Sequence, residues 1–439
     1  MSSELIKECA KRRQILRDKM LPNSIAIVPA ANLVTRSNDT EFPFRQDSDF
    51  HYLSGFPEPD GYLVISNSPL MGDVFSALFC LPKDELAEIW QGRRIGVDAA
   101  PADYEVDIAH PIDDIEVGLV SYINGHDNLY FARGHHGPSD VLIDEVLSKL
   151  RNAPKQSQIA PNCEFDIRTL LHEMRLFKSD FELSIMAQAA DISADAHIAA
   201  MQFSEVGKNE FHLEATIHHH FAMHRAKSPA YSTIVGSGDN ACILHYTENN
   251  CELEDNKLVL IDAGAELQGY AADITRTFPV NGHFTEPQKA LYQLVLDAQL
   301  ASFELFKPGC TFKAASDKAI EVLTTGLLDL GLLSGELQDN IEQQHYRQFF
   351  MHGLGHWLGL DVHDVGNYKI DGTDREFAPG MVLTVEPGLY VSASAEVDPK
   401  WKGIGIRIED NIVITDDGHK VLTGKVPKTI AEIENLMAK

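Results

Sequence analysis

The sequence predicts two domains, an α/β domain first and an α+β domain after it. Three observations carry this. The chain has 439 residues, too many for one ordinary core, and enough apolar residues for two. Its first part alternates strand-like and helix-like segments. From about Asp166 helices and hairpins are grouped, which suggests helices packed on an antiparallel sheet.

In chain order, the opening stretch MSSELIKECAKRRQILRDKM is charged and helix-like. It lacks the apolar run of a secretory signal, so a cytoplasmic protein is expected. SIAIVPA (24–30), YLVIS (62–66) and VFSALFCLP (74–82) read as strands. PSDVLIDEVLSKLRNA (138–153) carries apolar residues at helical spacing. KQSQIAPNC (155–163) has the polar and proline content of a linker. The domains are therefore expected to span 1–165 and 166–439. Beyond the boundary, two helices are expected with a break at Lys178-Ser179-Asp180, and further amphipathic helices over 287–306 and 311–333. Strand-rich stretches occupy 258–280, 382–391 and 403–415.

Composition narrows the function. The formal net charge is −28 and the pI near 5.0, which argues against nucleic acid and anionic membranes as partners. A mean hydropathy of −0.16 is that of a soluble globular protein, and no apolar run approaches the ~18 residues of a membrane span. The six cysteines are scattered and form no CxxC pair; they read as reduced thiols.

The stretch LVLIDAGAELQGYAADITRTF (258–278) reads as a hairpin with an aspartate in each arm, Asp262 and Asp273. A turn centred on Leu267-Gln268 sets them face to face. A turn centred on Gln268-Gly269 sets them diagonally on one face. Either way their Cβ atoms lie roughly 5 to 8 Å apart. Two buried carboxylates that close repel, and a hard divalent cation would compensate. The ordinary alternative is a pair of solvated turn aspartates, which the flanking LVLI run disfavours.

Three further signals follow. MHGLGHWLGLDVHD (351–364) holds His352, His356 and His363 among glycines that disfavour a helical zinc site; a hydrogen-bonded role is the ordinary alternative. In GMVLTVEPGLYV (380–391), strand alternation sets Glu386 on the face of Val382 and Thr384. In GIGIRIEDNIVIT (403–415) it sets Glu409 with Gly405 and Arg407, opposite three isoleucines. Either glutamate alone would read as the solvated side of a strand. Together, four carboxylates and an imidazole need roughly two divalent cations, the composition of a dinuclear hydrolase centre.

These motifs, in this order and spacing, resemble the pita-bread metallopeptidases, which include methionyl aminopeptidase, prolidase and aminopeptidase P. SNDTEFPFRQDSDFHYLSGFPEPDGYLVI (37–65), IWQGRRIGVDAAP (89–101) and HEMRLFKS (172–179) resemble bacterial aminopeptidase P in particular, so the likeness covers nearly the whole chain. It implies an α/β N-terminal domain for oligomerisation and cleft gating, and an α+β pita-bread (creatinase/methionyl aminopeptidase-like) catalytic domain. It also implies a metal-bridging hydroxide that cleaves the N-terminal Xaa-Pro bond.

The implied metal ligands are Asp262, Asp273, His356, Glu386 and Glu409, with Asp273 and Glu409 bridging two Mn²⁺ ions that Co²⁺ or Zn²⁺ can replace. His245, His352 and His363 are implied on the substrate side, His363 beside the oxyanion. Glu386 is the implied proton shuttle, and Arg407 the partner of the metal-site carboxylates. Trp90 and Tyr390 are implied in substrate binding, Trp90 reaching from a neighbouring subunit of a homotetramer from what reads as an exposed loop. The expected substrates are peptides with proline in the second position. Two departures from the family pattern are His51, where an aromatic is expected, and a longer 371–380 segment. The rival activities are prolidase, a metal-free binding module, and phosphotriester hydrolysis as a side reaction of the same centre.

Overall fold

The structure, a computed structural model, describes residues 3–72 and 75–438. The strand expected over 74–82 begins at Val74, outside the described residues, and is seen as Phe75–Cys80. The chain packs as two compact units, Met1–Met174 and Arg175–Lys439.

The first unit is built on a six-stranded mixed sheet. Its strands run Ile108–Pro111, Phe75–Cys80, Tyr62–Ser66, Ser24–Pro29, Asn128–Tyr130 and Cys163–Phe165 across the sheet. Tyr62–Ser66 pairs antiparallel with both neighbours, and the other pairings are parallel. SIAIVP is central and wholly buried, as its continuous apolar run requires. Helix Gly137–Asn152 packs Ile143, Val146, Leu147 and Leu150 onto this core, one stripe at helical spacing. The expected linker 155–163 instead carries one 3₁₀ turn and delivers Cys163 to the sheet edge. His51 lies on helix Ser48–Ser54 of this unit.

The second unit packs long helices against antiparallel strands. Helix Asp180–Phe203 starts where a break was expected, because Ser179 and Glu182 close a capping box. Glu286–Phe303 and Phe312–Asp329 are the other long helices. Helix Glu210–Met223 escapes the sequence reading; its buried residues are Glu210, Leu213, Ile217 and Phe221, a short stripe interrupted by a run of histidines. The 371–380 region opens on a small hairpin, Lys369–Ile370 against Thr373–Asp374, around Asp371 and Gly372 at positive φ.

The hairpin at 258–279 turns at Gln268-Gly269, with φ of 51° and 89°. Asp262 pairs with Thr275 and Glu266 with Ala271, so the diagonal alternative is the one realised. The strands expected as continuous over 382–391 and 403–415 are not. Each divides, into Val382–Val385 and Gly388–Val391, and into Ile404–Arg407 and Asp410–Ile414. The halves belong to different sheets. Glu386 and Glu409 sit at these divisions, and Asp273 lies in the gap between Tyr270–Ala271 and Thr275–Pro279. A strand that leaves its ladder frees backbone and side chain to turn toward a common point.

His197 of helix Asp180–Phe203 supports one such break. It is fully buried, and its Nε2 lies 2.9 Å from the Ala263 carbonyl oxygen. Burial drives its pKa down to about 4, and the Arg276 charge works in the same direction. An unfolded histidine ionises near 6.5. Between these values the unfolded chain holds the extra proton, so stability falls as pH drops from about 6.5 to 4, by about 3 kcal/mol in all. His197→Gln keeps a donor toward Ala263 but cannot titrate. Its melting temperature is expected to fall less steeply across that window than the wild type's; equal slopes in thermal scans would refute the assignment.

Candidate metal centre

Four strand breaks and one glycine-rich loop converge on a cavity of about 710 Å³. Asp262, Asp273, Glu386 and Glu409 line it, with His245, His352, His356, His363 and Arg407. Asp262 ends strand Leu258–Asp262, and Gly264 follows it. A Cβ there would lie 1.7 Å from the Ala272 carbonyl oxygen, so only glycine lets the two arms close behind the aspartates. Across the cavity, Gly355 approaches Thr384 so closely that a Cβ would meet its oxygen at 2.1 Å. That approach lets the His356 amide donate to Thr384 Oγ1, and Thr384 Oγ1 in turn donates to Glu386 Oε1 at 3.2 Å.

Asp273 is fixed through its backbone. Its N–H donates to Asn411 Oδ1, and Asn411 Nδ2 donates to its carbonyl. Its Oδ2 lies 3.5 Å from His356 Nε2, and Glu386 Oε1 lies 3.4 Å from the same nitrogen. His356 Nδ1 lies 3.0 Å from the Trp357 carbonyl, the bond that points Nε2 at the carboxylates. The Tyr231 hydroxyl sits between the two aspartates, 2.6 Å from Asp262 Oδ1 and 2.5 Å from Asp273 Oδ1. Thr275 donates to Glu409 Oε2 at 2.7 Å. Glu409 Oε1 is buried with no hydrogen-bond partner among the described residues.

Arg407 faces this group from its own strand. Nη2 bonds Asp262 Oδ2 at 2.6 Å, Nε bonds Thr275 Oγ1, and Nη1 bonds the Tyr390 hydroxyl. Tyr390 also contacts His352 Nε2 at 2.8 Å. Tyr390 therefore stands behind the lining rather than in it. His245 and His363 are exposed at the rim, and the His363 ring lies 4.1 Å from the His356 ring.

The electrostatics show a surplus of negative charge. Burial raises the Glu386 pKa to about 7, even though His356 and Arg407 pull against it. Burial and the Asp273 charge push Glu409 well above the usual carboxylate range. Burial opposes protonation of His356, but the Asp273 and Glu386 carboxylates outweigh it and lift the pKa to about 9. Burial lowers His352 to about 4. Crowded carboxylates with an orphaned buried oxygen fit hard divalent cations. Donor atoms of Asp273, His356 and Glu409 all lie within 4.8 Å of one another, as ligands of one ion would.

Trp90 belongs to the first unit and does not line the cavity. It is 87% exposed, as expected, but stands on a helix, Glu85–Gln91, rather than a loop. Asp84 caps that helix by accepting from Leu86 and Ala87. The sequence reading missed Tyr231, Thr275 and Asn411, and set Thr384 on the face of Glu386 without giving it a role. Tyr231 donates to both aspartates, Thr275 and Thr384 each to one glutamate, and Asn411 holds the Asp273 backbone, contacts that leave no periodicity to detect.

An oxygen-rich divalent-metal centre in an α+β unit, in a chain that also carries an α/β unit, defines a two-domain metallohydrolase. The chain belongs to metallopeptidase family M24, whose sequence profile matches residues 184–416. The profile of the aminopeptidase P N-terminal domain matches residues 9–130. The chain is 49% identical to the Xaa-Pro aminopeptidase of Escherichia coli K12 over 437 residues, 100% of this chain and 99% of that one. The structure of aminopeptidase PepP from Pseudomonas aeruginosa superposes with a TM-score of 0.97 at 46% identity, covering 99% of this chain and 98% of that one. Zinc-substituted E. coli aminopeptidase P in complex with product gives 0.96 at 49%, covering 98% of both.

Replacing Asp273 by Asn keeps the side-chain shape and removes one charge from the crowded group. The variant is expected to fold, since its backbone bonds to Asn411 remain, and to bind fewer divalent ions. Metal analysis after dialysis against Mn²⁺ decides; wild-type stoichiometry would overturn the proposed role.

Proposed function

We propose that the chain hydrolyses the bond between an N-terminal residue and a proline in the second position. The observation that carries this is the Asp273–His356–Glu409 cluster, with its orphaned oxygen, inside a chain aligned end to end with Xaa-Pro aminopeptidases. Asp262, Asp273, His356, Glu386 and Glu409 would hold two divalent ions. Manganese is the proposed metal, and the zinc-substituted relative supports tolerance of others. When bound, such ions supply Lewis acidity and a water acidic enough to attack near neutral pH.

The remaining steps belong to the chain's own side chains. Glu386, steadied by Thr384, moves a proton from the nucleophile to the leaving proline nitrogen, a secondary amine. His363, at the rim beside His356, donates to the developing oxyanion. His245 and His352 face the substrate side of the cavity. Arg407 offsets the charge of Asp262 and is itself held by Tyr390. His363→Ala is expected to retain both metals and lose on the order of 10²-fold in kcat. Steady-state kinetics paired with metal analysis checks this; loss of the metals would reassign His363 as a ligand.

Trp90, Leu86 and Ile89 are exposed together on helix Glu85–Gln91, an apolar face suited to meeting a second subunit. We place Trp90 at the substrate cleft of a neighbour in a homotetramer. Among the described residues no helix is long and apolar enough to cross a membrane, and a cytoplasmic location is proposed. The enzyme is then expected to shorten Xaa-Pro tripeptides and longer peptides, and some dipeptides, with Mn²⁺ added. Trp90→Ala is expected to raise KM for short peptides at unchanged metal content. Cleavage of dipeptides alone would favour a prolidase.

A further inference from the structure

We infer that the first unit carries a separate zinc-type site formed by Asp47, His135 and His136. Asp47 uses one oxygen structurally: Oδ1 accepts from the Phe50 N–H at 2.9 Å and caps helix Ser48–Ser54. Its other oxygen faces the loop before helix Gly137–Asn152. There Oδ2 lies 3.0 Å from His135 Nε2 and 3.7 Å from His136 Nε2. The three donor atoms lie within 4.8 Å of one another.

A hydrogen-bonded ion pair explains only part of this. His135 alone can satisfy Oδ2. The second imidazole turns Nε2 inward, where that atom is buried and makes no hydrogen bond among the described residues. At 3.7 Å it is too far from Oδ2 to donate. An ion between the three would engage all of them. With metal–ligand distances of about 2.0–2.2 Å, tetrahedral donors stand roughly 3.4 Å apart, close to the spacing seen.

The donor set selects the ion. Two imidazoles and one carboxylate suit Zn²⁺ and its neighbours such as Co²⁺ and Ni²⁺ better than Mg²⁺ or Ca²⁺, which prefer oxygen. His135 is about half exposed, which leaves one side open for a water as fourth ligand. The ion would join the start of Ser48–Ser54 to the start of Gly137–Asn152 within the first unit. It shares no ligand with the cavity that holds Asp273.

The test counts ions. The full-length protein, saturated with Mn²⁺, is equilibrated with Zn²⁺ and freed of unbound metal by gel filtration. Total manganese plus zinc per chain is then measured. Wild type is expected to hold one ion more than the His135→Ala/His136→Ala double variant; equal totals would overturn the proposal. Should the double variant misfold, zinc-soaked wild-type crystals decide. An anomalous peak at the zinc edge between Asp47 Oδ2 and the two Nε2 atoms supports the site, and peaks confined to the other centre refute it.

Discussion

The second unit is organised around the mutual repulsion of four carboxylates brought into one enclosed cavity. Burial and proximity both disfavour their ionised forms. Among the described residues Arg407 and His356 are the basic groups that pair with them, and Glu409 keeps an oxygen with no partner there. The arrangement is costly as protein alone and becomes favourable when cations enter. That is the sense in which binding free energy is stored in the fold.

Holding such a group needs a stiff surround, and two buried ion networks provide it. Arg276 donates to the carbonyls of Thr275 and Glu409 and pairs with Asp410 at 2.7 Å, while Lys428 takes the other Asp410 oxygen. This locks the strand that follows Glu409. Around the histidine loop, Arg175 bridges Asp361 and Asp364, and Lys178 reaches Asp364 at 3.0 Å. Asp364 adjoins His363, so this network sets where that imidazole can go. Breaking a buried pair by removing one partner costs about 3–5 kcal/mol, which makes these pairs effective anchors.

The first unit distributes its polarity differently. Its charged N-terminal helix buries Arg12 and Arg13, whose guanidinium groups donate to the backbone carbonyls of Tyr52, Leu53, Tyr104 and Glu105. Charge in the sequence thus serves as internal mortar rather than as surface. Conversely Leu86, Ile89 and Trp90 are apolar residues that lie in the open. An exposed apolar face of this kind is uncommon on a protein surface unless something covers it.

The sequence by itself determined the two fold classes, the metal-type chemistry and the order of the site motifs. Those rest on local facts: the continuous apolar run of SIAIVPA, helical spacing after Gly137, and carboxylates and histidines set in apolar or glycine-rich runs. It left open which of two turns joins Asp262 to Asp273. It also read the strands bearing Glu386 and Glu409 as unbroken, and Trp90 as a loop residue. Tertiary structure decided these points. The Gln268-Gly269 turn and the strand breaks depend on close backbone approaches, Gly264 against Ala272 across the hairpin and Gly355 against Thr384 from a separate segment. Tyr231 and Asn411 act through paired hydrogen bonds across the fold. A linear pattern records which face a side chain takes along its own strand. It does not record where that strand must stop so that another can approach, because the stop is set by close packing between segments far apart in the chain.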